Sequence, residues 1–268
     1  MIEPTISLSE EQIHSFHEDG FLVLNAITTE EEVEQLREIY DRLFFERTGW
    51  DQGSQFDLAG TDEDDQPRLP QLLGPSRFAP ELKDTRYLAN ARAIARQLLG
   101  SDMRDGNGEH MIYKPPRIGA PTPWHQDQAY HDPELAYKGV NFWMPLDDAT
   151  VESGCLQFIP GSHKLDVLPH HSINRDPRIH GLEVDDPEEY AARAVPCPVA
   201  AGGASLHACY MLHYAEPNRT DVPRRAYTLT FRTPPQTRDK PVDAYWQQNK
   251  QTARQARADA YQTMDLPP

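Results

Sequence analysis

The sequence predicts a mainly β fold with flanking helices: a double-stranded β-helix (jelly roll, cupin-like) with amino-terminal helices packed on one sheet. Two observations support this fold class. From about residue 108 the chain consists of short β-type runs broken by Pro and Gly, whereas the preceding part contains segments with helical periodicity. Short strands punctuated by turns are typical of sandwiches and jelly rolls. We therefore expect one domain over 1–268, with a helical part at 1–107, a jelly-roll core at 108–235 and a C-terminal extension at 236–268.

The first predicted helix begins at a capping box. Ser9 and Gln12 have the spacing at which each side chain bonds the backbone N–H of the other. Gly20 is expected to end this helix, since glycine adopts the backbone conformation that follows a helix C-terminus without strain. The apolar run 21–24 then predicts a short strand.

Two further helices are predicted from apolar stripes. Thr29 precedes three glutamates and a run of apolar residues at helical spacing. A similar pattern spans about 85–99 and ends at Gly100. Between these helices, residues 48–80 are rich in Asp, Gln, Gly and Pro and show no clear period. We expect a long loop there, and long loops in compact domains are usually functional or mobile.

The predicted strands of the core share short apolar or alternating patterns. They are residues 110–113, 140–145, 155–159, 194–199, 205–213 and 226–232. Residues 163–193, which contain histidines and an acidic run, interrupt this series. The insert is either a lid over one mouth of the barrel or a solvated surface loop.

Composition excludes several classes of partner. The chain carries 26 Lys and Arg against 42 Asp and Glu, a formal charge of −16, which repels phosphate backbones and anionic membrane surfaces. No apolar run is long enough to span a bilayer, and the first residues do not resemble a signal peptide. Three irregularly spaced cysteines, Cys155, Cys197 and Cys209, predict reduced core thiols. We expect a cytoplasmic protein that acts on a small molecule and binds neither nucleic acid nor membranes; the oligomeric state is not predicted.

Two separated segments supply a candidate metal site. His125 and Asp127 are two residues apart, so on a strand both side chains point to the same side. Such a pair is weak evidence alone, but His213 follows in a later β-type run. Two imidazoles and one carboxylate form a facial triad that leaves three coordination positions open, as Fe(II) needs to bind a bidentate keto acid and O2. His207 is a weaker candidate, because Asn218 rather than an arginine follows it by eleven residues.

Arg224, eleven residues after His213, is the candidate cation that binds the keto acid. A guanidinium anchors the far carboxylate of 2-oxoglutarate through two parallel hydrogen bonds. We expect the chain to turn at Pro217-Asn218 and to return on the neighbouring strand. Arg225 is then expected to point the opposite way, since side chains alternate along a strand.

Several motifs in order resemble the phytanoyl-CoA dioxygenase family of Fe(II)/2-oxoglutarate oxygenases. They are the opening EEQIHSFHEDGFLVL, the KPP before WHQD, the central WMPLDDATVESGCLQFIPGSHK, and the stretch HYAEPNRTDVPR, which is similar to the family's H-x-S-x-x-N-x-S-x-x-x-R pattern. By position, the resemblance implies that His125, Asp127 and His213 bind iron and that Arg224 anchors the keto acid.

The resemblance also implies two residues of the cosubstrate pocket, Gln126 and Trp143. The clearest departure from the family pattern is Ala215, where a serine hydroxyl usually assists the arginine; Thr220 replaces the later serine. Loss of one neutral hydrogen bond costs ~1 kcal/mol and does not remove the site.

The resemblance implies an Fe(II)-dependent dioxygenase with 2-oxoglutarate and O2 as cosubstrates, which releases succinate and CO2 while it oxidises, and in the simplest case hydroxylates, an unactivated C–H bond. Asp127 argues against halogenation, because halogenating relatives lack this carboxylate. Desaturation, epoxidation and ring closure remain open.

The substrate is expected to be neutral or cationic, and to belong to specialised metabolism. The acidic runs at 62–65 and 185–189 disfavour a polyanionic coenzyme A thioester. Two other classes fit the ligand types: a zinc-type metal-dependent hydrolase and a catalytically silent jelly-roll binding protein.

Overall fold

The structure is a computed structural model that describes residues 2–104, 106 and 108–264. Its helices are α1 Glu10–Asp19, α2 Glu30–Phe45, α3 Arg86–Leu99, α4 Glu188–Ala191, α5 Tyr245–Gln248 and α6 Ala253–Met264. Its strands are β1 Phe21–Leu24, β2 Gln55–Asp57, β3 Pro70–Leu73, β4 Gly108–Lys114, β5 Thr122–His125, β6 Leu135–Ala136, β7 Gly139–Pro145, β8 Leu156–Phe158, β9 His170–Ser172, β10 Leu182–Val184, β11 Val195–Cys197, β12 Ala204–Ala208, β13 His213–Ala215, β14 Arg224–Arg232 and β15 Gln236–Thr237. The end of the predicted C-terminal extension, 265–268, lies outside the described residues.

Two antiparallel sheets form the body of the fold. The larger has the strand order β1-β12-β7-β14-β4-β3-β2, and the smaller has the order β11-β8-β13-β5. Trp143 and Ala226 of the larger sheet pack against Leu156 and Phe158 of the smaller one. The prediction of a mainly β, cupin-like jelly roll with flanking helices is therefore confirmed.

The N-terminal helices begin at the predicted caps. The Ser9 hydroxyl accepts from the N–H of Gln12 at 3.2 Å, and the Gln12 side chain accepts from the N–H of Ser9 at 2.9 Å. The hydroxyls of Thr29 and Thr85 cap α2 and α3 in the same way. Gly20, with φ of 85°, ends α1 in the left-handed conformation that favours glycine.

The apolar stripes of α2 and α3 cover the outer face of the larger sheet. Leu36 and Tyr87 are buried in one cluster with Phe142 of β7 and Leu229 of β14. The Tyr87 hydroxyl lies 2.8 Å from the carbonyl oxygen of Phe142 and contributes a polar link between helix and sheet. The opposite, inner face of this sheet is left for the cavity described below.

The prediction of an irregular loop over 48–80 was wrong in part. Strands β2 and β3 extend the larger sheet at one edge, and all three residues of β2 are buried. The connection between them is held by Asp57, whose carboxylate accepts from the N–H groups of Arg68 at 2.6 Å and Leu69 at 2.9 Å. Because the Asp57 carboxylate bonds the backbone of the connection, β2 includes a polar residue. A polar segment lacks the apolar pattern by which a strand is predicted.

The predicted strand 205–213 is two strands in different sheets. Strand β12 belongs to the larger sheet and β13 to the smaller one, with a turn between them in which the N–H of Met211 donates to the carbonyl of Ala208 at 2.9 Å. The expected return of the chain to a neighbouring strand was also wrong. His213 lies in the smaller sheet, whereas Arg224 begins β14 in the larger sheet and faces it.

The insert 163–193 contains the β9–β10 hairpin and packs against the segment 48–80. Ile173 and Ile179 are buried together with Phe56 and Leu58. Buried apolar side chains of this kind favour a packed insert over a solvated loop.

All three cysteines are free and buried, as expected. Burial raises the pKa of Cys197 to about 12 and that of Cys209 to about 11, so these thiols are protonated at neutral pH. In the part of the chain that the structure describes, no helix is long and apolar enough to cross a membrane.

Lys114 joins the two sheets at the end of the cavity that contains Arg224. Its side chain is fully buried, and Nζ donates to the carbonyl oxygens of Ala120 at 2.9 Å, Ala215 at 3.0 Å and Glu216 at 2.5 Å. Lys114 belongs to β4 of the larger sheet and Ala215 to β13 of the smaller one. The Lys114 amine thus links carbonyl groups on both sides of the junction between the two sheets.

We expect Lys114→Met to lower the free energy of unfolding by about 3 kcal/mol, because three buried carbonyls lose their donor while the side-chain volume is kept. Urea denaturation monitored by tryptophan fluorescence measures this loss. The exposed Lys83→Met is the matched control and should change stability by less than ~0.5 kcal/mol. Equal stabilities of the two variants would contradict the assigned role.

Candidate metal centre and cavity

A cavity of about 300 Å³ lies between the inner faces of the two sheets. His125, Asp127 and His213 line it together with Trp143 and Arg224. These five of the six residues predicted from the sequence therefore come together in one place.

The three predicted ligands converge. One ligand atom from each of His125, Asp127 and His213 lies within 4.8 Å of the others. His125 ends β5 and pairs with His213 at the start of β13. Asp127 was predicted to lie on the same strand as His125. It is instead the first residue of a single 3-10 turn, Asp127–Tyr130. The bend after His125 turns the carboxylate toward the imidazoles, with Oδ1 at 3.6 and 3.7 Å from their Nε2 atoms.

Backbone carbonyls orient both imidazoles. Nδ1 of His125 lies 2.7 Å from the oxygen of Pro123, and Nδ1 of His213 lies 2.9 Å from the oxygen of Met211. A carbonyl only accepts, so each Nδ1 carries the proton and each Nε2 has a free lone pair. The lone pairs face the Asp127 carboxylate, which is the arrangement that metal-binding histidines adopt.

Burial and neighbouring groups favour the protonation states that bind metal. Burial, with His125 as a neighbour, holds the pKa of His213 well below its usual range, so the ring is neutral at pH 7. Burial alone would raise the pKa of Asp127, but the neighbouring His213, with His125 and His207, holds it well below its usual range. A neutral imidazole and an ionised carboxylate are the forms that coordinate a divalent cation.

A second set of residues holds the other oxygen of Asp127. Oδ2 lies 3.2 Å from Nε2 of His207 and accepts a short hydrogen bond from the amide of Asn141. Asn141 in turn accepts from the hydroxyl of Thr230 at 2.5 Å. His207, the weaker ligand candidate of the sequence, therefore contacts the carboxylate of Asp127. This role could not be predicted, because no spacing rule links a residue on β12 to a carboxylate 80 positions earlier.

Gln126 does not line the cavity, and the expectation drawn for it is corrected. Its side chain donates to the carbonyl oxygens of Asp166 at 3.2 Å and Tyr210 at 2.9 Å and accepts from the N–H of Leu168 at 2.8 Å. Its backbone N–H donates to Nε2 of His170, whose pKa burial lowers to about 3. Gln126 therefore fixes the segment between two ligands to the insert, and points away from the cavity because its neighbours point inward.

Arg224 presents unused donors to the cavity. The residue is 1 % exposed, and its Nε and Nη1 have no hydrogen-bond partner among the described residues. The guanidinium carbon lies 5.1 Å from the centre of the Trp143 ring. Burial lowers the pKa of Arg224 to about 10, which leaves it charged at pH 7. Arg225 points outward to Asp147, as strand alternation predicted.

The remaining histidines divide by location. His131 and His180 line the cavity, whereas His163 and His171 do not. His180 stacks on Tyr130 at 5.7 Å, and Tyr130 meets the ring of His125 edge-on at 5.9 Å. His180 and Tyr130 thus form a wall of the cavity beside the metal ligands, and the wall includes a residue of the insert.

The residues present fit an iron ion and a dicarboxylic keto acid. Two imidazoles and one carboxylate occupy one side of the candidate metal position and leave the cavity side open. A buried guanidinium with unused donors is costly unless an anion completes it. These two features together match a metal that binds a chelating keto acid whose far carboxylate reaches Arg224.

Comparisons with known proteins agree with this arrangement. The sequence model of the phytanoyl-CoA dioxygenase family matches residues 16–226. A phytanoyl-CoA dioxygenase domain-containing protein 1 homolog of Dictyostelium discoideum is 24% identical over 260 residues, which cover 84% of this chain and 92% of that protein.

Two solved structures are similar in fold. EvdO2 from Micromonospora carbonacea var. aurantiaca, solved in complex with 2-oxoglutarate, is 40% identical with a TM-score of 0.76, and the match covers 91% of this chain and 99% of EvdO2. The non-heme alpha ketoglutarate dependent carbocyclase SnoK from nogalamycin biosynthesis is 23% identical with a TM-score of 0.71, covers 88% of this chain and 89% of SnoK, and supports the fold alone.

We expect His207→Phe to weaken divalent metal binding by ~10- to 100-fold, because Oδ2 of Asp127 loses a donor and the carboxylate loses its fixed orientation. Titration with Mn(II), a redox-stable substitute for Fe(II), measures the dissociation constant. His207→Gln keeps a donor and should retain most of the affinity. His14→Phe, an exposed change on α1, is the matched control. Wild-type affinity in His207→Phe would show that the contact does not matter.

Proposed function

The chain belongs to the phytanoyl-CoA dioxygenase family, and we propose that it hydroxylates an unactivated C–H bond of a small molecule, in specialised metabolism. Membership of the family makes it an Fe(II)- and 2-oxoglutarate-dependent dioxygenase that consumes O2. What we propose beyond this reaction class is the kind of bond that is oxidised and the class of the substrate.

The observation that carries the proposal is the orphaned guanidinium of Arg224 beside a three-residue metal group. Its donors face a cavity that the candidate iron ligands also line. A hydrolytic metal site activates water and needs no such cation. A silent barrel would have no reason to keep a buried charge without a partner. Both alternative classes are therefore less well supported than the oxygenase.

The residues of the cavity have separate tasks in the proposed reaction. His125, Asp127 and His213 hold the metal on one side, so that keto acid and O2 bind on the other. Bound iron and 2-oxoglutarate together supply the oxidising chemistry, with release of succinate and CO2. Trp143 lies against the guanidinium of Arg224 and excludes water from the ion pair, which strengthens it.

Thr228 is a candidate replacement for the missing serine hydroxyl at Ala215. Thr228 lies on β14 opposite Trp143 and lines the cavity. Its buried hydroxyl has no hydrogen-bond partner among the described residues. A buried hydroxyl in a polar cavity favours a ligand that supplies the missing acceptor, and the carboxylate of 2-oxoglutarate beside Arg224 is such an acceptor.

Oxygen-free addition of Fe(II) and 2-oxoglutarate to the metal-free protein is expected to produce the weak visible charge-transfer band of a chelated keto acid. His213→Ala should abolish the band, because a ligand is lost. Arg224→Ala should weaken it at subsaturating 2-oxoglutarate, because the far carboxylate loses its anchor. A folded wild-type protein with no band would contradict the assignment. O2 uptake with succinate release in the presence of 2-oxoglutarate distinguishes an active oxygenase from the silent barrel.

Thr228→Val should raise the dissociation constant of 2-oxoglutarate by ~5-fold, the equivalent of one neutral hydrogen bond of about 1 kcal/mol, without change of shape. The intensity of the same band during titration with 2-oxoglutarate measures this constant. Thr237→Val, on an exposed strand, is the matched control. If the two variants bind 2-oxoglutarate equally well, the hydroxyl of Thr228 has no part in the anchor.

A further inference from the structure

Strand β14 carries two arginines on the face that lines the cavity. Side chains alternate along a strand, so Arg224, Thr230 and Arg232 point the same way, and all three line the cavity. Arg225, on the other face, donates to Asp147 on the outside of the sheet. Seven residues of the strand separate the two inward-facing arginines.

The candidate iron ligands lie between these two arginines. Thr230 pairs with Asn141 of the neighbouring strand, and the amide of Asn141 contacts Asp127. Arg232 pairs with Gly139, one step further toward the end of the strand. A Cβ on Gly139 would lie 2.8 Å from Cγ of Arg232, so this glycine leaves the room that the arginine side chain occupies.

Arg232 resembles Arg224 in its lack of a counter-ion. Its Nε is buried without a hydrogen-bond partner, and its guanidinium carbon lies 5.4 Å from the centre of the Tyr137 ring. No carboxylate among the described residues lies within ion-pair distance of it. A guanidinium remains charged at any physiological pH, so one that faces a cavity unpaired favours an anionic ligand.

Neutral donors surround this end of the cavity. Burial lowers the pKa of His110 to about 4, and that of His131 to about 4, and Arg232 contributes to both shifts. Each imidazole is therefore neutral at pH 7 and offers one N–H. Glu109 also lines the cavity, but its carboxylate accepts from the Tyr227 hydroxyl at 2.7 Å and from the N–H of Ser76 at 3.0 Å.

The acidic runs on which the expected neutral or cationic substrate rested do not line the cavity. Glu63 pairs with Arg178 at 3.1 Å, and Asp62 forms an ion pair with Arg257. Asp185 accepts from Nδ1 of His171 at 2.6 Å. These carboxylates hold the outer segments together, and their charge is compensated there.

From this geometry we propose that the substrate carries an oxyanion, a carboxylate or a phosphate, which binds Arg232. The cosubstrate carboxylate binds Arg224, so the carbon to be oxidised lies between the two anions and beside the metal ligands. This inference rests on the proposed function and names its substrate class.

Oxygen-free protein loaded with Fe(II) and 2-oxoglutarate is titrated calorimetrically with benzoate, phenylphosphonate and the neutral benzamide. Because 2-oxoglutarate already occupies Arg224, a second anion reports on Arg232. We expect at least one acid to bind more tightly than benzamide, and Arg232→Leu to weaken that acid by roughly 10- to 100-fold, the effect of one charge-assisted pair. The affinity of Arg232→Lys for that acid should lie between those of the wild type and Arg232→Leu. The tighter acid distinguishes a carboxylate from a phosphate substrate.

Arg219→Leu, an exposed change that removes the same charge outside the cavity, is the matched control and should bind the acids as the wild type does. The charge-transfer band is recorded in every variant. Wild-type protein that shows the band but binds neither acid better than benzamide overturns this inference, as does equal acid binding in Arg232→Leu. Absence of the band in wild type contradicts the proposed function instead, so the two failures are distinguishable.

Discussion

The carboxylate of Asp127 is shared between the two sheets, and the geometry of the cavity depends on this division. Its Oδ1 faces the imidazoles of His125 and His213, which belong to the smaller sheet. Its Oδ2 is held by Asn141 and His207, which belong to the larger sheet. The separation of the two sheets therefore sets the distance between the Asp127 carboxylate and the two imidazoles. Packing far from the metal position that changes this separation also changes that distance.

Charge is distributed differently inside and outside the molecule. The whole chain carries −16, yet the guanidiniums of Arg224 and Arg232 line the cavity without an ion-pair partner among the described residues. Asp62, Glu63 and Asp185 of the outer segments form ion pairs with Arg257, Arg178 and His171. An acidic exterior keeps the protein soluble, while a cationic interior selects anions. Net charge alone is thus a poor guide to what enters the cavity.

How much the sequence predicts depends on whether the interaction is local. The helix starts at Ser9, Thr29 and Thr85 follow from contacts three residues apart, and strand alternation separates Arg224 from Arg225. The candidate metal ligands could be predicted because only a few residue types coordinate a metal ion. Residues whose roles depend on distant partners were missed: His207 contacts the carboxylate of Asp127, 80 positions earlier, and Gln126 bonds backbone groups of Asp166, Leu168 and Tyr210. No periodicity encodes such contacts, and the buried polar strand β2 resembled a loop for the same reason.

The position of the metal group in the chain has a consequence for folding. Asp127 and His213 are 86 positions apart, and the strands that carry the intervening residues must pair before the two side chains meet. Closing a loop of this length costs about 4 kcal/mol of chain entropy beyond a constant contribution. The complete group of three ligands therefore exists only when β5 and β13 are paired, so its formation depends on the long-range topology of the chain.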